Sequence, residues 1–125
     1  MVEASGRPPD EENGATMRTV MVRYRVKAER AGENQRYIEA VFAELQRARP
    51  AGLWYASFKL PDGVSFVHLA RIDTPDGSNP LAALAPFQAF TAQIKDRCEE
   101  PPSTVELTEV GAYPIVGAQE LPELA

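Results

Sequence analysis

The sequence predicts one α+β domain whose elements run strand, helix, strand, strand, helix, strand. Three observations carry that prediction. Four segments rich in β-branched and aromatic residues have the two-residue period of strands, two longer stretches space apolar residues as a helix does, and clusters of Pro, Gly and Asp fall at the joints. At 125 residues the chain fits a single domain, and that length suffices for a core without disulfide staples.

The first strand is expected at 18–27, where Val20, Val22, Tyr24 and Val26 alternate with Thr19, Met21, Arg23 and Arg25. A helix follows over 31–48, with Ile38, Val41, Phe42 and Leu45 on one face and charged residues mostly elsewhere; Pro50 and Gly52 stop it. Residues 53–60 and 64–72 are the arms of a β-hairpin turned by Pro61-Asp62-Gly63. The turn formers from Thr74 to Pro80 make a loop, and Leu81–Leu84 allow a short helical turn. A second helix is expected at 86–99, opened by Pro86, buried through Phe87, Phe90, Ile94 and Cys98, and ended by Pro101-Pro102. The fourth strand is expected at 104–113. Two right-handed crossovers put both helices on one face of a four-stranded antiparallel sheet, which is the ferredoxin-like βαββαβ plan.

The domain is expected to span 17–116. Residues 1–16 hold Pro, Gly and four acids without apolar periodicity and read as a disordered tail, with a true start at Met17 as an equal alternative; 117–125 read as a C-terminal tail. The formal charge of −5 sits in these tails, because residues 17–113 carry twelve basic and twelve acidic side chains. A neutral domain has no electrostatic reason to seek nucleic acid or an anionic membrane. No apolar run is long enough to span a bilayer and the N-terminus has no secretory pattern, so a cytoplasmic protein is expected. A single cysteine, Cys98, excludes an internal disulfide and Cys-rich metal sites, and no metal or other cofactor is expected.

A sheet with both helices on one face should be polar on the other if water covers it. Here neither face is polar. Phe66, His68, Ala70 and Ile72 oppose Val67 and Leu69 on the third strand, and Trp54, Ala56, Phe58 and Leu60 oppose Leu53 and Tyr55 on the second. The open face is therefore expected to meet a second copy, giving a homodimeric α+β barrel with a small-ligand cavity between the sheets.

The opening MRTVMVRYRVKAERAGEN, the helix and hairpin after it, and FVHLARIDTPDGSNPLAALAPFQAF resemble the dimeric α+β barrel proteins of the antibiotic-biosynthesis-monooxygenase type over roughly residues 17–116. The resemblance lies in layout and hydrophobic pattern. It implies the fold strongly and the chemistry weakly, since that family holds cofactor-independent oxygenases of anthrones and quinols, haem-degrading enzymes, isomerases and others. The haem-degrading branch uses a His from the second helix region, an Asn on the first strand and a nearby Trp. Here 86–99 has no His, the first strand has no Asn, and Trp54 is on the second strand.

What the resemblance implies is oxidation of a small electron-rich aromatic, quinol or anthrone, without metal or flavin. His68, the one imidazole, is the candidate base and Arg71 an auxiliary charge for an enolate or peroxide, a role open also to Arg23 and Arg25; the plainer reading, and the favoured one, leaves these arginines solvated or paired with Glu106 and Glu109 on the fourth strand. Tyr24, Trp54, Tyr55 and Phe66 are candidate pocket walls, strand parity leaving open which of Trp54 and Tyr55 faces the cavity. The alternative is a non-catalytic dimer of the same fold that binds a small ligand or a partner. An RNA-recognition module shares the strand order, but its third-strand signature would need a base at Asp62 and stacking aromatics where Val64 and Leu69 stand.

Overall fold

A computed structural model describes residues 16–113; the two tails read from the sequence lie outside the described residues, apart from Thr16. The elements are β1 (Thr16–Val26), α1 (Ala31–Ala48), β2 (Leu53–Lys59), β3 (Ser65–Thr74), α2 (Ala85–Ala92), α3 (Ile94–Arg97) and β4 (Cys98–Leu107), with 3₁₀ turns at Ala28–Arg30 and Pro80–Ala83. The sheet order is β2-β3-β1-β4 and every neighbouring pair is antiparallel, so the ferredoxin-like plan holds. Among the described residues no helix is long and apolar enough to cross a membrane.

The core lies between the helices and one sheet face. Tyr24 and Val26 of β1, Phe66 of β3, Ile38 and Val41 of α1, Phe90 of α2 and Leu81 of the 3₁₀ turn form its buried cluster. These are the positions that a two-residue period on strands and a 3.6-residue period on helices bring to one side. Helix α1 ends on Arg49, which adopts the left-handed conformation while its N–H reaches Leu45 O. Pro50 then forbids a further turn.

Gly52 carries the chain into β2 with φ +80°, and its carbonyl accepts from Asp73 N at 2.8 Å. A β-carbon there would stand 2.7 Å from Asp73 O and 2.8 Å from Thr74 Cγ2. Gly52→Ala is expected to lower stability by about 2 kcal/mol, through backbone strain and this clash together. Chemical denaturation checks it, and a change below about 0.5 kcal/mol would show that the β2–β3 end is looser than the structure has it.

The second half departs from the expected pattern. In place of one helix over 86–99, α2 stops at Ala92, Gln93 breaks the geometry, and α3 adds one turn. Two contacts explain the break. Thr91 Oγ1 bonds back to Phe87 O (3.1 Å) and Gln88 O (3.2 Å), and Arg97 Nη2 donates to Phe90 O (2.6 Å), the carbonyl that a continuous helix would give to the amide of Ile94. The fourth strand is Cys98–Leu107 rather than 104–113, and Cys98 opens a strand rather than closing a helix. Pro101 and Pro102 sit inside that strand. They fit because β4 is a sheet edge and its pairing slips: Arg23 faces Ser103 but Arg25 faces Glu100, so β4 carries an extra residue at the prolines.

Candidate functional site

On the helix-covered face, β1, β2 and β3 bring four rings into a nearly parallel ladder. Phe66 stacks on Tyr24 (centroids 5.7 Å apart), Tyr24 on His68 (5.4 Å) and His68 on Tyr55 (5.9 Å), while Phe90 of α2 presses edge-on against His68 at 5.4 Å. The register places His68 opposite Val22 on β1 and opposite Ser57 on β2. Tyr24 and Tyr55 therefore approach the imidazole diagonally from its two neighbouring strands. Between this ladder, α2 and the 3₁₀ turn at Pro80–Ala83 lies a cavity of about 290 Å³, lined by Tyr24, Tyr55, His68, Leu81, Phe87 and Phe90 among others.

A chain of hydrogen bonds runs behind and through this wall. Arg97 Nε donates to Asn34 Oδ1 (3.1 Å), Asn34 Nδ2 donates to Tyr24 Oη (2.9 Å), Tyr24 Oη meets His68 Nε2 (2.8 Å), and His68 Nδ1 meets Ser57 Oγ (2.6 Å) and Tyr55 Oη (3.1 Å). The guanidinium sets the direction, because it can only donate. Asn34 must then turn its oxygen to Arg97 and its amide N–H to Tyr24. The phenol, already accepting from Asn34, gives its own proton to His68 Nε2. A neutral imidazole then carries its proton on Nδ1 and donates to Ser57.

Arg97 is fully buried, and among the described residues no carboxylate pairs with it. Its charge is met by the Phe90 carbonyl, by Asn34 and by the face of Tyr37, 4.4 Å from the guanidinium carbon; Nη1 has no hydrogen-bond partner. Burial, the one cause acting on it, pushes the His68 imidazole down to about 4, so it is neutral at pH 7. Burial also raises Tyr24, against the hydrogen bond from Asn34, and pushes Tyr55 up to about 12.

The His68 shift has a consequence for stability. The unfolded imidazole takes up its proton below its ordinary value of 6.5, while the folded one resists until about 4. The contribution is therefore fully present above pH 6.5 and is lost as pH falls towards 4, by roughly 3 kcal/mol at most. Melting temperatures across that window are expected to fall more steeply for the wild type than for His68→Gln. Parallel curves would show that the imidazole is not held neutral by the fold.

Of the side chains singled out in the sequence, Tyr24, Tyr55 and His68 line the cavity. Phe66 stands behind Tyr24 and lines a separate groove between α1 and β2. Trp54 and Arg71 require correction. They face each other across β2 and β3 on the opposite side of the sheet, where Arg71 pairs with Glu109, because both are an odd number of residues from Tyr55 and His68 on their strands. The cavity at His68 lies between the sheet and the helices of one chain, on the face opposite the one expected to meet a second copy.

Asn34, Ser57 and Arg97 were not picked out in the sequence, yet two of them left a signal there. Asn34 precedes Ile38 by four and Val41 by seven residues, and Arg97 follows Ile94 by three and Phe90 by seven. Each is a polar side chain on an apolar helical stripe, a pattern that calls for a buried partner.

No protein-family model matches the chain, and no curated protein matches it in sequence. Solved structures match it clearly. Rv0793 from Mycobacterium tuberculosis superposes with a TM-score of 0.64 at 15% identity, over 78% of this chain and 98% of that one. An antibiotic biosynthesis monooxygenase gives 0.62 at 16% identity over 77% and 100%. SnoaB, a cofactor-independent oxygenase from Streptomyces nogalater, gives 0.58 at 16% identity over 78% and 97%. The chain has the fold of the antibiotic-biosynthesis-monooxygenase structures, built here around a buried Tyr24–His68 pair.

Proposed function

We propose that this protein is a cofactor-independent monooxygenase of small electron-rich aromatic molecules, working as a homodimer through its open sheet face. One observation carries the reading: a neutral imidazole, His68, stands in the wall of an apolar aromatic cavity with Tyr24 hydrogen-bonded to the nitrogen that would accept a proton. The likeness to SnoaB supports it. A phenolic O–H in the cavity loses its proton by way of Tyr24 to His68, and the electron-rich anion that remains reacts with dioxygen. The substrate loses two hydrogens and gains one oxygen atom; the second oxygen leaves as water. A cavity of about 150 Å³ holds a benzene, so 290 Å³ suits a one- or two-ring quinol better than a three-ring anthrone.

A second reading has an observation in its favour. Both ring nitrogens of His68 are already hydrogen-bonded and burial lowers its basicity, as suits a packed histidine in a non-catalytic ligand- or partner-binding protein. Oxygen uptake by the metal-stripped protein with a panel of quinols and anthrones decides between them. Uptake above the blank that disappears in His68→Ala is expected. A folded protein that consumes no oxygen with any member of the panel leaves the binding protein as the better account.

A further inference from the structure

Ser57 joins two cavities through a side-chain hydrogen bond, its hydroxyl lining one and meeting a histidine that lines the other. The inner one is the aromatic cavity at His68 and Tyr24, and Ser57 is not in its lining. The outer one is a solvent-open groove of about 370 Å³ between α1 and β2, which Ser57 does line and which His68 and Tyr24 do not. Across its wall Lys59 Nζ donates to Gln35 Oε1 (2.9 Å) and Gln35 Nε2 to Glu39 Oε2 (3.1 Å), so polar groups flank the way out. His68 is 3% exposed and bridges the two, Nε2 towards Tyr24 and Nδ1 towards Ser57.

We propose that Tyr24, His68 and Ser57 form a proton relay through the sheet wall, in which a proton released by a ligand in the inner cavity leaves by way of the Ser57 hydroxyl into the outer groove. The ligand O–H proton goes to Tyr24 Oη, the Tyr24 proton to His68 Nε2, the His68 Nδ1 proton to Ser57 Oγ, and the Ser57 proton to water in the groove. Four bonds to hydrogen break and four form. The ligand is left as its anion, all three side chains end neutral, and His68 has changed tautomer. Protonation of the product oxyanion runs the same path backwards and restores the first tautomer.

The surroundings require passage rather than storage. The groups facing the imidazole are Tyr24 of β1, Ser57 and Tyr55 of β2 and Phe90 of α2, with no carboxylate among them to hold an imidazolium, and the buried charge linked to it through Tyr24 and Asn34 is the cation Arg97. Burial opposes a charged ring as well. A proton that reaches Nε2 must therefore leave from Nδ1 in nearly the same event. Ser57 Oγ is the closer of the two hydroxyls at Nδ1, 2.6 Å against 3.1 Å for Tyr55 Oη, and it lines the outer groove without lining the inner cavity, so Ser57 is the outward member of the pair. Ser57 touches no substrate and acts through His68 as a positioning and relay residue.

The inference rests on the oxygenase reading for its purpose but not for its test. The chain has a single histidine, so ¹⁵N-histidine labelling reports His68 alone. In the wild type without ligand, Nδ1 is expected to be protonated and Nε2 bare, with the N–H exchanging with water. Ser57→Val removes the hydroxyl and fills its place, and is expected to slow that exchange roughly ten-fold or more, while Ser57→Thr restores it. With any quinol that the wild type oxidises, Ser57→Val is expected to lower kcat by a similar factor at unchanged KM, and added imidazole buffer to leave the defect in place. Should Ser57→Val not fold, Ser57→Ala serves, and there imidazole buffer admitted to the groove is expected to recover kcat. An Nε2-protonated ring in the free wild type, or equal exchange rates in wild type and Ser57→Val, overturns the relay. A wild type that oxidises no quinol removes the oxygenase reading, and the exchange rates still decide the relay.

Discussion

Tyr24→Phe is expected to unfold about 2–6 kcal/mol more easily than the wild type, a fall in melting temperature of roughly 10–30 °C, and to lose oxygen uptake to the level of His68→Ala. The phenyl ring keeps the stacking on Phe66 and His68, so packing is almost unchanged. What disappears is one oxygen atom that serves two buried partners, Asn34 Nδ2 and His68 Nε2. Leaving a buried donor and a buried acceptor unpaired costs about 1–3 kcal/mol each. Asn34 cannot escape by flipping its amide, because its oxygen is held by Arg97. The kinetic loss, about 10²–10⁴-fold, follows from removing the group through which the imidazole reaches the cavity. Calorimetry and an oxygen electrode read the two effects separately. A melting temperature within about 2 °C of wild type would show that the buried chain is not formed. Full stability loss with retained uptake would show that substrate reaches His68 directly.

How far the sequence could reach is visible in that same chain of residues. Strand period placed Tyr24, Tyr55 and His68 on defined faces, and all three line the cavity. It could not say which face of β2 joins His68, since both faces of this sheet are apolar and the register is not local, so Trp54 stands beside Tyr55 as a candidate; Arg71, three residues from His68 on the same strand, is on the other face by strand period alone. Helical period placed α1 correctly to its last residue, because Pro50 follows its end. It failed past Ala92, where the chain is shaped by two long-range choices. Arg97 takes the Phe90 carbonyl, and β4 pairs with β1 through a slipped register that admits two prolines. Local propensity reads Pro101-Pro102 as a stop. Only the pairing partner turns the same residues into an edge strand. The site followed the same division: residues on strands were legible one by one, whereas the Arg97–Asn34–Tyr24 link joins three elements and exists only in the folded chain.

Trp54→Glu is expected to convert a dimer into monomers while leaving the cavity intact. The open sheet face carries Met21 of β1, Trp54 and Phe58 of β2, Leu69 of β3 and Val105 and Leu107 of β4, with Phe58 52%, Val105 42% and Leu107 37% exposed in the single chain. Apolar side chains spread over all four strands of one face are the kind of surface that marks a contact with another chain. A self-complementary two-fold contact would use every substituted residue twice, so one mutation buries two carboxylates, each costing several kcal/mol to desolvate. The dissociation constant is expected to rise at least about 10³-fold, read by sedimentation equilibrium. The location of the cavity sharpens the test. A cavity between two sheets would vanish on dissociation, but the one at His68 lies between the sheet and the helices of one chain, on the side away from Trp54. The monomer is therefore expected to bind the same aromatic ligands, and binding lost in step with the dimer would show that the partner copy completes the site. A wild type that stays monomeric at high micromolar concentration would assign the face to a different protein, and the homodimer would be given up.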